Sequence, residues 1–436
     1  MNRLWELGYR LIAIPMFWAT LRILGAFNAK IRRGIRGRKA LFADLARGVA
    51  RIPPGKRVWF HSSSLGEFEQ AKPIIAELKR RDPDVRIIAS FFSPSGLDHS
   101  RRYALADIIS YLPFDTRSGA QRFITLVRPD AAVMVRYDIW PNHIWELRRR
   151  GIPILLANAT MNDRSARMLP ILREFHRFVY DAIDDILTVA PKDVAAFQRF
   201  GLRRARVQAI GDTRFDQVCI RSTEARRHSI IPPAILQGKK VIVAGSSWPE
   251  DEDVLLPAFT RLQAERGDLL LILVPHEPTL DRLEELERAL PGSTPAIRFS
   301  CLNEYRSESV IIVDSIGILL MLYAYAHIAY VGGSFRQGVH NILEAAVFGV
   351  PVVFGPRHHN SHEPALLAEQ GGAFVVRDAA ELRDIIASLL TDEHARAAAG
   401  QQAARFVQSN VGATGRFLEH LEPAIRANGR PSKGHS

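Results

Sequence analysis

The chain has 436 residues, 47% of them hydrophobic and 24% charged, which are globular values. At roughly 100–200 residues per domain they describe two or three domains and exclude a disordered or collagen-like chain. Only Cys219 and Cys301 carry thiols, which excludes a disulfide scaffold or a Cys-rich metal module, and a net charge of +12 favours anionic partners.

The first element is apolar. Leu11 to Leu21 is free of charge, with Trp5, Tyr9 and Trp18 around it; Pro15 and Arg22 interrupt a stretch that continues to Ala29. A dense basic block follows: Lys30, Arg32, Arg33, Arg36, Arg38 and Lys39. Aromatics flanking an apolar helix, then a polybasic patch, suit an anchor on anionic lipid, either spanning or interfacial. Two other readings stay open. One is a cleaved signal peptide, which the basic block opposes; the other is a buried first helix with a solvated basic loop. The anchor reading is preferred, and its charge bias keeps the following chain in the cytoplasm. No run elsewhere approaches the roughly 18 apolar residues of a spanning helix.

From Lys56 onward short apolar runs alternate with amphipathic stretches. Strands are expected at Arg57–His61, Arg86–Phe92, Asp130–Val135, Ile152–Asn158 and Asp185–Val189, with helices at about Phe68–Arg80 and through Trp145 and Arg149. The second half repeats the plan at Lys240–Gly245, Leu269–Pro275, Val310–Asp314, Ile328–Gly332, Val350–Gly355 and Ala373–Val376. Strands separated by helix-length segments predict parallel sheets built of βαβ units. Weak periodicity and the Pro232–Pro233 pair place a linker at 212–238. The expected organisation is an anchor and basic patch at 1–40, Rossmann-like domains at 41–211 and 239–410, and a C-terminal helix and polar tail at 411–436. Two such domains would face a cleft, with ligands at the carboxyl ends of the strands.

Five loops after strands carry candidate chemistry. His61-Ser62-Ser63-Ser64-Leu65-Gly66-Glu67 places a carboxylate where it could act as a general base. The same spacing, Ser64-x-x-Glu67, is a capping box, so a purely structural role for Glu67 competes. Gly332 to Glu344 (GGSFRQGVHNILE) sets glycines before a helix, an arrangement that offers free N–H groups to an anion and a carboxylate to ribose hydroxyls. An Asn341-x-x-Glu344 cap is the bland alternative. Gly245-Ser246-Ser247-Trp248 and Pro275-His276-Glu277-Pro278 follow strands too. His358 and His359, near His362 and Glu363, match no defensible zinc spacing, and no metal is expected. There is no Walker A motif, no G-x-S-x-G elbow and no D-x-D pair. Zinc-finger, RNP-like and basic-zipper patterns are also missing, and arginine pairs such as Arg80–Arg81 and Arg203–Arg204 read as solvated faces. Nucleic acid is therefore not an expected partner.

Taken in order, Ser64-Leu65-Gly66-Glu67, Trp140-Pro141-Asn142, Phe215-Asp216 and the run Val331–Pro356 resemble the bacterial 3-deoxy-D-manno-octulosonic acid (Kdo) transferases that act on lipid A precursor. The likeness extends from the apolar N-terminus to about Leu390. It implies a GT-B fold and inverting transfer from CMP-Kdo, with no cofactor or metal, at the cytoplasmic face of the inner membrane. It makes the first Rossmann-like domain acceptor-binding and the second nucleotide-sugar-binding. By resemblance Glu67 is the general base, Asp138 is the nearest carboxylate for a charge-stabilising acidic role, and Arg214 is a cation for the leaving CMP phosphate. Ser246, Ser247, His276, Glu277, Ile316, Gly317, Gly333, Ser334, Asn341, Ile342, Leu343 and Glu344 surround the donor. The chain departs from the family pattern at several points. Arg136-Tyr137-Asp138 stands where Glu-Thr-Glu is common, leaving Asp138 as the nearest carboxylate. Arg214 replaces a lysine, Pro275-His276-Glu277 replaces Pro-Arg-His, Ile318 replaces a glutamate and Val339 a glycine. Two alternatives accompany this reading: another GT-B transferase or an epimerase using a UDP-sugar, and a catalytically silent, membrane-bound lipid-binding scaffold.

Overall fold

The computed structural model describes residues 2–162, 165–359 and 361–427. Asn360 of the histidine-rich loop and residues 428–436 of the expected tail lie outside the described residues. The chain divides into two compact units, Met1–Gln217 with Val411–Ser436, and Val218–Asn410. The helix Thr213–Ala225 carries the chain from one to the other.

In the first unit, α1 (Asn2–Gly8), a π-helical turn (Tyr9–Ala13) and α2 (Ile14–Phe27) form one rod, followed by α3 (Ala29–Gly37) and α4 (Leu41–Arg51). Asn28 breaks the rod from α3: its backbone is extended and its side chain accepts from the Lys30 and Ile31 N–H groups, an N-cap. The β-α alternation starts at β1 (Arg57–Ser62) and α5 (Leu65–Arg81). It continues through β2 (Arg86–Phe91), β3 (Ile108–Tyr111), β4 (Ala131–Val135), β5 (Ile154–Ala159), β6 (Asp185–Thr188) and β7 (Arg206–Ala209). All pairings are parallel, in the order β3-β2-β1-β4-β5-β6-β7. Both faces are covered, so the central strands are buried on both sides. In β1, Val58 and Phe60 join one core and Trp59 the other. The chain returns at its C-terminal end to this unit, where Phe417, Leu418, Leu421 and Ile425 of helix Ala413–Ala427 pack into the same core as Val58.

The second unit repeats the design with β8 (Lys240–Ser247), β9 (Leu269–Pro275), β10 (Ala296–Arg298), β11 (Val310–Ile312), β12 (Ile328–Val331), β13 (Val352–Phe354) and β14 (Ala373–Val375). These form a parallel sheet ordered β10-β11-β9-β8-β12-β13-β14.

Three strands, β3, β7 and β10, were not expected from the sequence. Each sits at a sheet edge and is three or four residues long. An edge strand needs no continuous apolar run; β7 (RVQA) alternates exposed and half-buried positions. The helix after β1 starts at Leu65 rather than Phe68, because Ser64 and Glu67 cap it.

The N-terminal rod is long and apolar enough to cross a membrane by length and composition. One face of it is held by the first unit. Trp5 and Tyr9 pack on Phe175, Phe17 on Trp140 and Trp18 on Phe114, while Tyr9 Oη donates to Asp115 at 2.8 Å and Arg10 Nε to Asn142 at 2.9 Å. The opposite face exposes Leu4, Leu7, Leu11, Ile12, Met16 and Ile23. A buried first helix is thus not what forms.

Candidate active site

Each unit presents its loops at the carboxyl ends of its sheet. In the first unit, β1 delivers His61 and the serine loop, and the loop after β4 delivers Asp138. Glu67 occupies the third position of α5, is 7% exposed, and accepts from the Ser64 N–H through Oε2 at 2.9 Å. The cap predicted from spacing therefore forms. It does not neutralise the carboxylate. Burial raises the Glu67 pKa above the ordinary value; backbone N–H groups of Ser64 and Ser63 oppose the rise and the Asp138 charge adds to it. Burial also pushes Asp138 upward, but hydrogen bonds from His61, Ser63 and Trp140 outweigh it and hold that carboxylate below its ordinary value. Two carboxylates in one loop cluster are thus driven apart, Asp138 toward the ionised form and Glu67 toward a proton affinity suited to a base.

Arg214 lies elsewhere in this unit, paired with the buried Asp212 at 2.7 Å; its backbone N–H also donates to that carboxylate. Arg136 has φ +64°, and its guanidinium lies over the Tyr137 ring at 5.8 Å.

In the second unit the candidate donor loops converge on a residue the sequence reading missed. Asp251 is fully buried and accepts from the Gly333 N–H at 2.7 Å, the Trp248 N–H at 3.0 Å and the Tyr330 hydroxyl at 3.1 Å. It ties the Ser246–Trp248 turn to the glycine loop after β12. Burial raises its pKa, and those hydrogen bonds oppose the rise. Its signal was the third position of helix Pro249–Arg266, a capping site, which says nothing about the distant Gly333. Ser246 has φ +55°, and a Cβ on Gly332 would come within 2.4 Å of the Ser246 carbonyl oxygen, so close approach of the two loops demands glycine. Ser247 Oγ donates to the buried Glu252 at 2.6 Å. Ser334 is buried and accepts the Gly355 N–H at 2.6 Å.

His276 is exposed, donates its backbone N–H to the Ser247 carbonyl, and stacks at 4.6 Å on both Trp248 and His340. Burial, helped by His276, pushes His340 down to about 4, which leaves its Nε2 free to accept the Trp248 indole N–H at 2.9 Å. Glu277 is exposed beside them. The Arg336 guanidinium, also missed, lies 4.6 Å from the Trp248 ring centroid and supplies positive charge next to these loops.

Ile316 is 88% exposed and Gly317 takes φ +89° in the turn after β11. Gly317 borders a groove of about 400 Å³ lined also by Arg221, Arg227, His228 and Leu320. Arg221 reaches Glu344 at 3.2 Å, so Glu344 and the Ile316–Gly317 turn share a basic neighbour. Asn341 Oδ1 accepts the Leu343 N–H at 3.2 Å. Ile342 and Leu343 are buried, so a ligand would meet their backbone only. The helix expected after the glycine loop is a single turn, Leu343–Ala346. Its dipole is correspondingly small, and the loop N–H groups carry what attraction it offers. Among the described residues, no group of three or more His, Cys, Asp or Glu is placed to hold a metal ion.

Residues 34–217 match the family described as 3-deoxy-D-manno-octulosonic-acid transferase (kdotransferase). The chain is 30% identical to the 3-deoxy-D-manno-octulosonic acid transferase of Aquifex aeolicus over 77% of its length and 86% of the relative's. It is 26% identical to the enzyme of that name from Haemophilus influenzae, over 98% of this chain and all of the relative. Among solved structures, a putative UDP-N-acetylglucosamine 2-epimerase from Listeria monocytogenes superposes with a TM-score of 0.61 at 13% identity, over 88% of this chain and all of that one. MurG from Acinetobacter baumannii gives 0.53 at 12%, over 84% and 99%. At such identity the structures speak for the GT-B fold alone. Relatedness along most of the length of both partners decides the family: the chain belongs to the 3-deoxy-D-manno-octulosonic acid transferases, a family of glycosyltransferases.

Proposed function

We propose that this Kdo transferase uses CMP-Kdo as donor, inverts the anomeric centre, and glycosylates a lipid A precursor at the cytoplasmic face of the inner membrane in lipopolysaccharide biosynthesis. The observation that carries the reading is the buried Glu67 with its raised pKa, set beside an ionised Asp138. Glu67 takes the proton from the attacking acceptor hydroxyl. The hydroxyl oxygen bonds to the anomeric carbon of Kdo as the bond from that carbon to the CMP phosphate oxygen breaks. A general base of this kind typically contributes about 10²–10⁴ in rate.

The donor would be bound by the second unit. Ser246, Ser247, Gly333 and Ser334 present backbone and hydroxyl groups on loops that Asp251 locks together; Glu344 and Asn341 would take the ribose, and Ile316–Gly317 a backbone contact to the base. His276 and Glu277 line the same end of the sheet. Arg336 is the cation we assign to the leaving phosphate. The acceptor would be bound by the first unit.

Membrane association rests on the rod Arg3–Phe27 and on α3. The exposed leucine and isoleucine face would sink into the lipid interface while Lys30, Arg32, Arg33 and Arg36 meet anionic headgroups. The Tyr9–Asp115 and Arg10–Asn142 hydrogen bonds, partway along the rod, favour a helix lying in the interface: an upright span would have to break them. Donor identity is tested by competition. CMP should inhibit transfer and UDP should not; inhibition by UDP with none by CMP would refute the donor assignment.

A further inference from the structure

His61 has no role in the reaction as described so far, yet it is a fully buried polar residue at the carboxyl end of β1, within the cluster that surrounds Glu67. We propose that His61 is a positioning residue for transfer: its imidazole holds the Asp138 carboxylate, and with it the Ser63 hydroxyl, in place beside Glu67. The inference rests on reading Glu67 as the base.

His61 Nε2 lies 2.8 Å from Asp138 Oδ2 and 3.0 Å from Trp140 Nε1, and Nδ1 lies 2.9 Å from Ser90 Oγ and 3.1 Å from the Ser90 carbonyl. Ser90 Oγ accepts the Trp59 indole N–H at 2.8 Å. An indole N–H only donates and a carboxylate only accepts. A bare Nε2 would set two acceptors against each other at 2.8 Å. Nε2–H therefore donates to Asp138, while Nδ1 faces both the Ser90 hydroxyl and the Ser90 carbonyl. The Ser63 hydroxyl also donates to Asp138, and the Trp140 N–H lies between His61 Nε2 and Asp138. These donors keep the carboxylate ionised despite burial.

The neighbouring groups come from several elements. Glu67 projects from α5 and feels both Asp138 and His61. His143, paired with Asp115 at 2.6 Å, packs near the Trp59 ring with centroids 6.0 Å apart. Trp140 stacks on Phe92 at 4.7 Å, and Phe17 of α2 packs against it at 5.9 Å. The ring is thus clamped by packing on one side and by the β1–β2 pairing of His61 with Ser90 on the other. An ionised Asp138 adds to the rise in the Glu67 pKa. Without the His61 donor, Asp138 takes up a proton more easily and its upward push on Glu67 fades, while the downward pull of His61 on Glu67 is lost as well, so the Glu67 titration is disturbed.

The test uses the full chain and compares His61→Phe, His61→Gln and His61→Asn, with Glu67→Gln as control. The readouts are kcat, the KM for CMP-Kdo, the pH profile of kcat/KM and the melting temperature. His61→Phe should lower kcat at least tenfold, move the acid limb of kcat/KM, and leave the donor KM within about twofold, since the donor loops belong to the other unit. His61→Gln, whose amide N–H can reach Asp138, should recover most of the turnover; His61→Asn, one methylene shorter, should not. Should His61→Phe fail to fold, the Gln and Asn pair carries the comparison. A wild-type kcat and pH profile in His61→Phe would overturn the proposal, as would Gln performing no better than Asn. So would a loss of turnover that only tracks a loss of folded protein, with the acid limb unmoved. Turnover that survives Glu67→Gln would refute the base assignment itself, and with it the ground on which this inference stands.

Discussion

Glu67→Gln separates the two jobs that the serine loop gives this residue. A glutamine at the third position of a helix can still accept the Ser64 N–H, so the cap survives while the base is lost. Removing a general base should lower kcat by about 10²–10⁴, or roughly 3–5 kcal/mol of barrier. Stability should hardly fall. The raised folded pKa means that the native state binds the Glu67 proton more tightly than the unfolded chain does. Stability therefore declines as pH rises from the unfolded toward the folded pKa, and above that window the ionised carboxylate is a net cost. Glutamine removes that cost, so the melting temperature near pH 7 should equal or exceed wild type. Glu67→Ala loses the cap as well, at about 1 kcal/mol, which lowers the melting temperature by about 2–4 °C in a domain of roughly 150–250 residues. The assays are steady-state transfer and differential scanning calorimetry on the same preparations. In wild type, kcat/KM should rise with pH through an apparent pKa above that of an ordinary glutamate, and this limb should vanish in Glu67→Gln. Near-normal turnover in Glu67→Gln, with Glu67→Ala merely unstable, would show that the residue only caps the helix.

Three further outcomes follow from the geometry. Asp251→Ala strips a buried carboxylate from two loop N–H groups. It should cost about 2–3 kcal/mol of stability and raise the KM for CMP-Kdo; an unchanged donor KM would detach Asp251 from donor binding. Gly332→Ala forces a methyl group against the Ser246 carbonyl, which as backbone cannot swing away, and should weaken CMP binding measured by titration calorimetry at least tenfold. Leu11→Asp with Ile12→Asp, both on the exposed face of the rod, should abolish sedimentation with anionic vesicles while leaving the fold intact. Wild-type binding should weaken with added salt, at about 1 kcal/mol per basic residue engaged, and salt-independent binding to neutral vesicles would remove the basic block from the account.

The two sheets were readable because parallel strands covered on both faces are nearly unbroken apolar runs, as in Leu269–Pro275. The edge strands β3, β7 and β10 carry no such signal, being short and half exposed. Glu67 was visible from local spacing, since a capping box and a loop carboxylate share one motif. Asp251 and His61 were not, because their significance lies in partners 82 and 77 positions away, Gly333 and Asp138. Sequence periodicity reports which face of an element is apolar, but not which distant N–H a buried carboxylate will meet. The N-terminal rod shows the same limit. Its composition made it a candidate membrane helix, while the contacts of Tyr9 and Arg10 with Asp115 and Asn142 were not visible in the sequence.

The central claim is transfer of Kdo from CMP-Kdo to a lipid A precursor. The most direct measurement incubates the purified full chain with a Kdo source, CTP, the CMP-Kdo synthetase and a bisphosphorylated lipid A precursor, and reads the product masses. The account predicts a gain of one or more whole Kdo units, dependent on CTP and lost in Glu67→Gln. An unchanged acceptor mass, with CMP binding intact and the synthetase shown to be active, would contradict it.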